Sequence, residues 1–214
     1  MNTTSAQKTL TFVISVILVG ILLFSSTGGL KTLLIRFGVL QVEQEASYGS
    51  LTFEEMVSTA DVIFVGRLVE MSPSKWNQDN GEYWGEDAIQ YHTLRFQVLR
   101  FIVNGTASGQ TIEVTILGSS LSEGNQDYNL AIGDDVLVFA GTTDLVWREG
   151  GTKPTIAVMT DPYHSFFIRN SNGDFEGEAL YSLGQGNFTT ERITLPLADL
   201  TARIQNLQNN STTP

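Results

Sequence analysis

The chain has 214 residues with an ordinary apolar content of 42% and aromatic content of 10%, enough for one folded core with appendages. The absence of cysteine excludes disulfides, thiolate metal sites, cysteine nucleophiles and a lipidated cysteine anchor. Charge is divided along the chain: residues 1–40 hold Lys8, Lys31 and Arg36 and no acid, whereas the remainder sets nine cations against 23 acids, a formal −14 that disfavours nucleic-acid binding.

Leu10 to Phe24 is an uncharged run, LTFVISVILVGILLF, and Ser25 to Leu30 extends it to 21 residues. At about 1.5 Å per residue a helix of that length reaches roughly 31 Å, the thickness of a bilayer's hydrocarbon core. Residues 1–30 are therefore expected to be a transmembrane anchor, with 31–49 as a juxtamembrane linker or helix extension. The alternative is a cleaved signal peptide, for which Ser25, Ser26, Gly28 and Gly29 supply small residues; the continuation KTLLIRFGVL favours the uncleaved anchor. Flanking charges nearly cancel and do not set the orientation. The paucity of lysine and wealth of Asn, Thr, Ser and Gly in residues 50–208 place that domain outside the cytoplasm, on a single-pass protein of a bacterial cell membrane.

Thr52-Phe53-Glu54-Glu55 has capping-box spacing and predicts a short helix through Ala60. The β-branched run DVIFVGRLVE after it reads as a central strand, with Gly66 marking a bend or close backbone approach. From Tyr91 to Val103 the apolar positions change phase at Val98, as at a β-bulge. Asn104-Gly105 then reads as a hairpin turn into Thr111 to Leu117, with Ile112, Val114 and Ile116 inward. Gly133-Asp134-Asp135 leads into the apolar strand VLVFAG. Asp144 to Arg148 and Thr155 to Thr160 read as further short strands joined by Glu149-Gly150-Gly151. His164 to Arg169, an Asn172-Gly173 turn and Asp174 to Leu180 read as a final hairpin. Pro196 with Leu197, Leu200, Ile204 and Leu207 predicts a closing amphipathic helix, and 209–214 a frayed tail.

The expected fold is thus mainly β: a small Greek-key OB-like barrel with a short N-terminal helix and a C-terminal amphipathic helix, preceded by one transmembrane helix. Ala60 to Glu70, the strand ending Val98 to Gly105, and Gly133 to Phe139 resemble a group of uncharacterised bacterial membrane-anchored extracytoplasmic proteins. More remotely they resemble netrin-type domains and tissue inhibitors of metalloproteinases, which are OB-fold barrels. The resemblance spans roughly residues 50 to 180 and rests on strand and turn positions. Metalloproteinase inhibition is not implied, because the amino-terminal cysteine and disulfide-pinned loops it depends on are missing.

The most distinctive loop, Ser72 to Asp87, interleaves Trp76, Tyr83 and Trp84 with Asn77 and Asp79 and nominates these five as a ligand platform for a protein or glycan. The plainer reading folds the aromatics back over the barrel end. Asn170, Asn172, Asp174, Glu176 and Glu178 alternate as calcium ligands could, yet a solvated hairpin explains them as well, and Asp134-Asp135 reads as a turn. His92 and His164 lack zinc-ligand spacing, and Gly118 to Ser122 lacks the second glycine of a nucleophile elbow. Asn104, Asn187 and Asn210 begin N-glycosylation acceptor patterns. No catalytic residue, metal or cofactor is assigned. The expected function is a non-catalytic, membrane-anchored surface binding module; the alternatives are a hydrolase or metal-dependent enzyme using His92 or His164 with acidic partners, and a structural subunit of an envelope complex assembled through its anchor helix.

Overall fold

The computed structural model describes residues 51–85, 87–105, 109–118, 130–159, 162–184 and 187–211. The expected anchor and linker lie outside these residues. Among the described residues no helix is long and apolar enough to cross a membrane.

Helix α1, Phe53–Thr59, starts on the anticipated box: Thr52 Oγ1 accepts from the Glu55 amide at 3.2 Å, and the Glu55 carboxylate accepts from the Thr52 amide at 2.8 Å. That backbone bond, seconded by the Thr52 hydroxyl, holds the Glu55 carboxyl below its usual range. Phe53, Met56 and Val57, at helical spacing, form its buried face.

Among the described residues nine strands follow in one mixed sheet: β1 Val62–Met71, β2 Lys75–Trp76, β3 Gln90–Val103, β4 Thr111–Leu117, β5 Asp135–Val146, β6 Thr152–Val158, β7 Phe166–Arg169, β8 Phe175–Gly184 and β9 Asn187–Leu195. A four-residue turn of helix, α2 Pro162–Ser165, precedes β7, and α3, Leu197–Ser211, closes the described chain. The pairings run β1-β3-β4-β6-β5-β7-β8-β9, β5 also pairs with β1, and among the described residues β4 with β6 is the one parallel contact.

Apolar side chains on both faces of β1 and β5 explain why these segments lack alternation. Val62, Phe64 and Leu68 of β1 join Val136, Val138 and Ala140 of β5, Leu94, Phe96 and Val98 of β3, and the expected Ile112, Val114 and Ile116 of β4 in one buried cluster. On the opposite face Ile63, Val65, Leu137 and Phe139 pack with α1, with Phe167 of β7, and with Leu200 and Ile204 of α3 in a second. A strand sandwiched in this way has no solvent face to demand polar residues. Gly66 sits where the first cluster is tightest: a Cβ there would meet the Phe64 ring at 2.9 Å and Phe96 Cβ at 3.0 Å.

The register of β1 on β3 passes from Val65↔Arg100 to Gly66↔Val98 and leaves Leu99 without a partner, which is the bulge anticipated from the phase change. A second residue is skipped at Ile102, so Phe101 and Val103 pack against different clusters. Other junctions differ from expectation. Asn104-Gly105 is not a tight hairpin turn, because β3 pairs with β4 only from Tyr91↔Leu117 to Gln97↔Thr111 and its remaining length continues along β1. Asn104 does adopt a left-handed φ of 52°, and its amide donates to the Asp61 carbonyl at 3.0 Å. Asp144 to Val146 belongs to β5 itself. The β7–β8 hairpin is not the last, since β9 pairs with β8 from Phe175↔Leu195 to Gly184↔Asn187.

Candidate functional site

The loop between β1 and β3 is built around Asn77, which is 1% exposed. Its Oδ1 accepts from the Ile89 amide at 2.7 Å and from Trp84 Nε1 at 3.0 Å, while its Nδ2 donates to the Val146 carbonyl at 2.9 Å. Its backbone amide donates to the Ile89 carbonyl and its carbonyl accepts from the Arg148 amide, each at 3.0 Å. Asn77 therefore ties this loop, through its side chain, to the end of β5 and, through its backbone, to the turn that follows. Gln78, also buried, accepts from Arg148 Nη1 at 2.7 Å, and the Arg148 guanidinium lies 5.7 Å from the centre of the Trp84 ring. Tyr83 is buried with its ring edge-on to Trp76 at 4.8 Å. Of the five nominated residues, Asn77 and Tyr83 are thus interior frame, Trp76 and Trp84 are half-buried, and Asp79 alone is exposed.

Asp79 reaches across to the neighbouring turn. Its carboxylate accepts from Lys153 Nζ at 3.0 Å and Trp147 Nε1 at 2.9 Å, and these two hydrogen bonds hold its carboxyl below the usual range. Lys153 Nζ stands 3.8 Å from the centre of the Trp147 ring, a cation–π contact that orients the indole. The Tyr91 ring lies 6.1 Å beyond it, tilted by 53°. Burial raises the Tyr91 phenol above its ordinary pKa, with Lys153 pulling weakly the other way.

Beneath this corner is a groove of about 380 Å³. Strand alternation decides its lining. With His92, Leu94 and Phe96 turned inward from β3, Tyr91 and Thr93 face outward; with Ile112, Val114 and Ile116 inward from β4, Glu113 and Thr115 do the same. β4 and β6 share a single bridged pair, Thr115↔Ala157, and the groove opens beside it, with Thr155 and Ile156 on its far side and Leu145 and Trp147 above. Both charges on the walls are internally matched: Glu113 accepts from Arg95 at 2.7 Å, and Lys153 is held by Asp79. The Thr155 hydroxyl is buried without a hydrogen-bond partner.

No protein-family model, curated protein or solved structure matches the chain.

The other nominated residues do not converge on it or on one another. His92 is fully buried beside Leu94 and Phe96, neither ring nitrogen has a hydrogen-bond partner, and burial pushes its pKa down to about 4 against a weaker opposing pull from the Gly118 backbone. His164 lies on α2. No group of three His, Asp or Glu that could hold a metal ion occurs among the described residues. Asn170 forms an Asx turn, its Oδ1 accepting from the Asn172 and Asp174 amides, so the alternating acids belong to a turn and the strand after it. Asp134 caps the Ala131 amide, and Asp135 binds Arg67 at 2.8 Å and Arg169 at 3.3 Å. Ser119 to Ser122 fall outside the described residues. The side chains that line the groove were legible only as outward positions of strands.

Proposed function

We propose that β1, β3, β4, β6 and β5 close into a small OB-like Greek-key barrel, and that the chain is a non-catalytic binding module held outside the cytoplasm by residues 1–30. The ring of pairings, returning from β5 to β1 through one parallel contact between β4 and β6, supports the barrel. In such barrels ligands bind across the second and third strands, between the loop joining strands one and two and the loop joining strands four and five. Here those strands are β3 and β4, and those loops are residues 72–89 and 147–151.

The observation that carries the reading is the position of the groove. It occupies that face, away from the α1–α3 layer, and its Trp147 and Lys153 edge is fastened to the first of those loops by Asp79. A wall fixed before binding spares the ordering entropy that a mobile loop would lose. The anchor supplies proximity to the envelope and the groove supplies recognition.

The test is co-sedimentation of the full-length chain with protease-treated envelope polymer from the host, alongside a Tyr91→Ala/Trp147→Ala double variant, with protease digestion of intact cells to locate the domain. Retention of the wild type, loss of retention in the variant and digestion from outside are the expected results. Equal retention of the two proteins, or protection of the domain until lysis, contradicts the proposal.

A further inference from the structure

We infer that the groove takes an uncharged oligosaccharide, with a sugar ring laid against the Tyr91–Trp147 wall; this rests on the groove being the binding face. Three features select the ligand class. First, the wall is aromatic and half-buried, and the apolar face of a pyranose matches such a surface better than a flexible aliphatic chain does. Second, the side chains below it are hydroxyl-bearing, Thr93, Thr115 and Thr155, the chemistry that pairs with the hydroxyls of a sugar.

Third, the charges exclude the alternatives. A cationic ligand at Trp147 would meet the like charge of Lys153, and an anionic ligand would have to take Lys153 from Asp79 against the net negative charge of the domain. An uncharged, polyhydroxylated ligand displaces neither pair. Glu113, matched to Arg95 through one of its oxygens, keeps lone pairs that can accept from sugar hydroxyls. The groove's volume falls at the lower end of the roughly 300–1,000 Å³ usual for small-molecule sites, which suits a short segment of a chain.

The experiment is a glycan array of neutral, acidic and amino sugars, with acidic and basic peptides on the same surface, probed with the full-length chain in lipid nanodiscs at low and high salt. Wild type is expected to bind one or more neutral glycans with little salt dependence. Tyr91→Ala and Trp147→Ala should each weaken that binding about tenfold or more, each with native far-UV dichroism and cooperative thermal unfolding. Binding confined to charged glycans or peptides, and lost in the same aromatic variants, would overturn the sugar inference while leaving the groove as the site. Neutral-glycan binding that survives Tyr91→Ala and Trp147→Ala, or no neutral-glycan binding at all, overturns the inference and, in the first case, the groove with it.

Discussion

Replacing Asn77 with alanine should loosen the loop between β1 and β3 and its hold on the end of β5, because one buried side chain bonds both. The substitution strands the Ile89 amide, Trp84 Nε1 and the Val146 carbonyl, which Asn77 now satisfies at 2.7, 3.0 and 2.9 Å. A buried polar group left unpaired costs about 1–3 kcal/mol, and some of the three would regain water at this partly buried site, so the total loss is about 3 kcal/mol. At roughly 2–4 °C per kcal/mol for a domain of this size class, melting should fall by about 6–12 °C. Thermal unfolding followed by near-UV circular dichroism measures both the shift and the loosening of Trp84. Asn77→Asp keeps both acceptor contacts but buries a carboxylate with one oxygen against the Val146 carbonyl, so it should also be destabilised, and less so as the carboxyl is protonated at low pH. A shift below about 2 °C for Asn77→Ala, with the Trp84 signal unchanged, would refute the claim that Asn77 fastens the loops.

Other substitutions separate the remaining supports of the fold. His92 binds a proton less readily in the folded chain than in the unfolded one, so stability should decline as pH falls from about 6.5 to about 4, by about 3 kcal/mol at most; His92→Leu should flatten that part of a pH series of denaturant titrations. Thr52→Ala removes the hydroxyl half of the capping box, leaving the backbone amide at that position to donate to Glu55, and should cost about 1 kcal/mol, readable as a melting shift of roughly 2–4 °C. Gly66→Ala places a methyl group against Phe64 and Phe96 and should cost about 1–3 kcal/mol, where an open site would show a gain.

Elements buried on a regular pattern were legible in the residues themselves. The capping box, the two-sided apolar strands β1 and β5, and Leu200 and Ile204 on α3 each follow from a local period or a local hydrogen-bond rule. Even the bulge at Leu99 left its mark as a slipped alternation. Strand β9 was invisible for the opposite reason. Of its nine residues only Ile193 is buried, so the segment NFTTERITL shows no apolar period, and its strand form comes from backbone pairing with β8. The Asn104-Gly105 turn misled because turn chemistry shows where a chain bends and not which strands it joins.

At the site, aromatic residues in a polar loop drew attention to Trp76, Tyr83 and Trp84, which the fold uses chiefly to brace the loop. The groove itself combines Tyr91, Glu113, Trp147 and Thr155, brought together by strand pairing across separate stretches of sequence. Each alone is an ordinary outward residue of a strand or turn. Only the pairing of β3 with β4 and the parting of β4 from β6 make them neighbours.

The most direct measurement is the indole N–H resonance of Trp147 in the ¹⁵N-tryptophan-labelled full chain in nanodiscs, followed as neutral hexasaccharides of glucose and of N-acetylglucosamine are added. Saturable movement of the Trp147 resonance, larger than that of Trp76 or Trp84 and abolished by Tyr91→Ala, is the result expected if the groove is the binding face for an uncharged glycan. A Trp147 resonance that stays fixed while the array shows the chain binding those same sugars would place the ligand elsewhere on the molecule and contradict it.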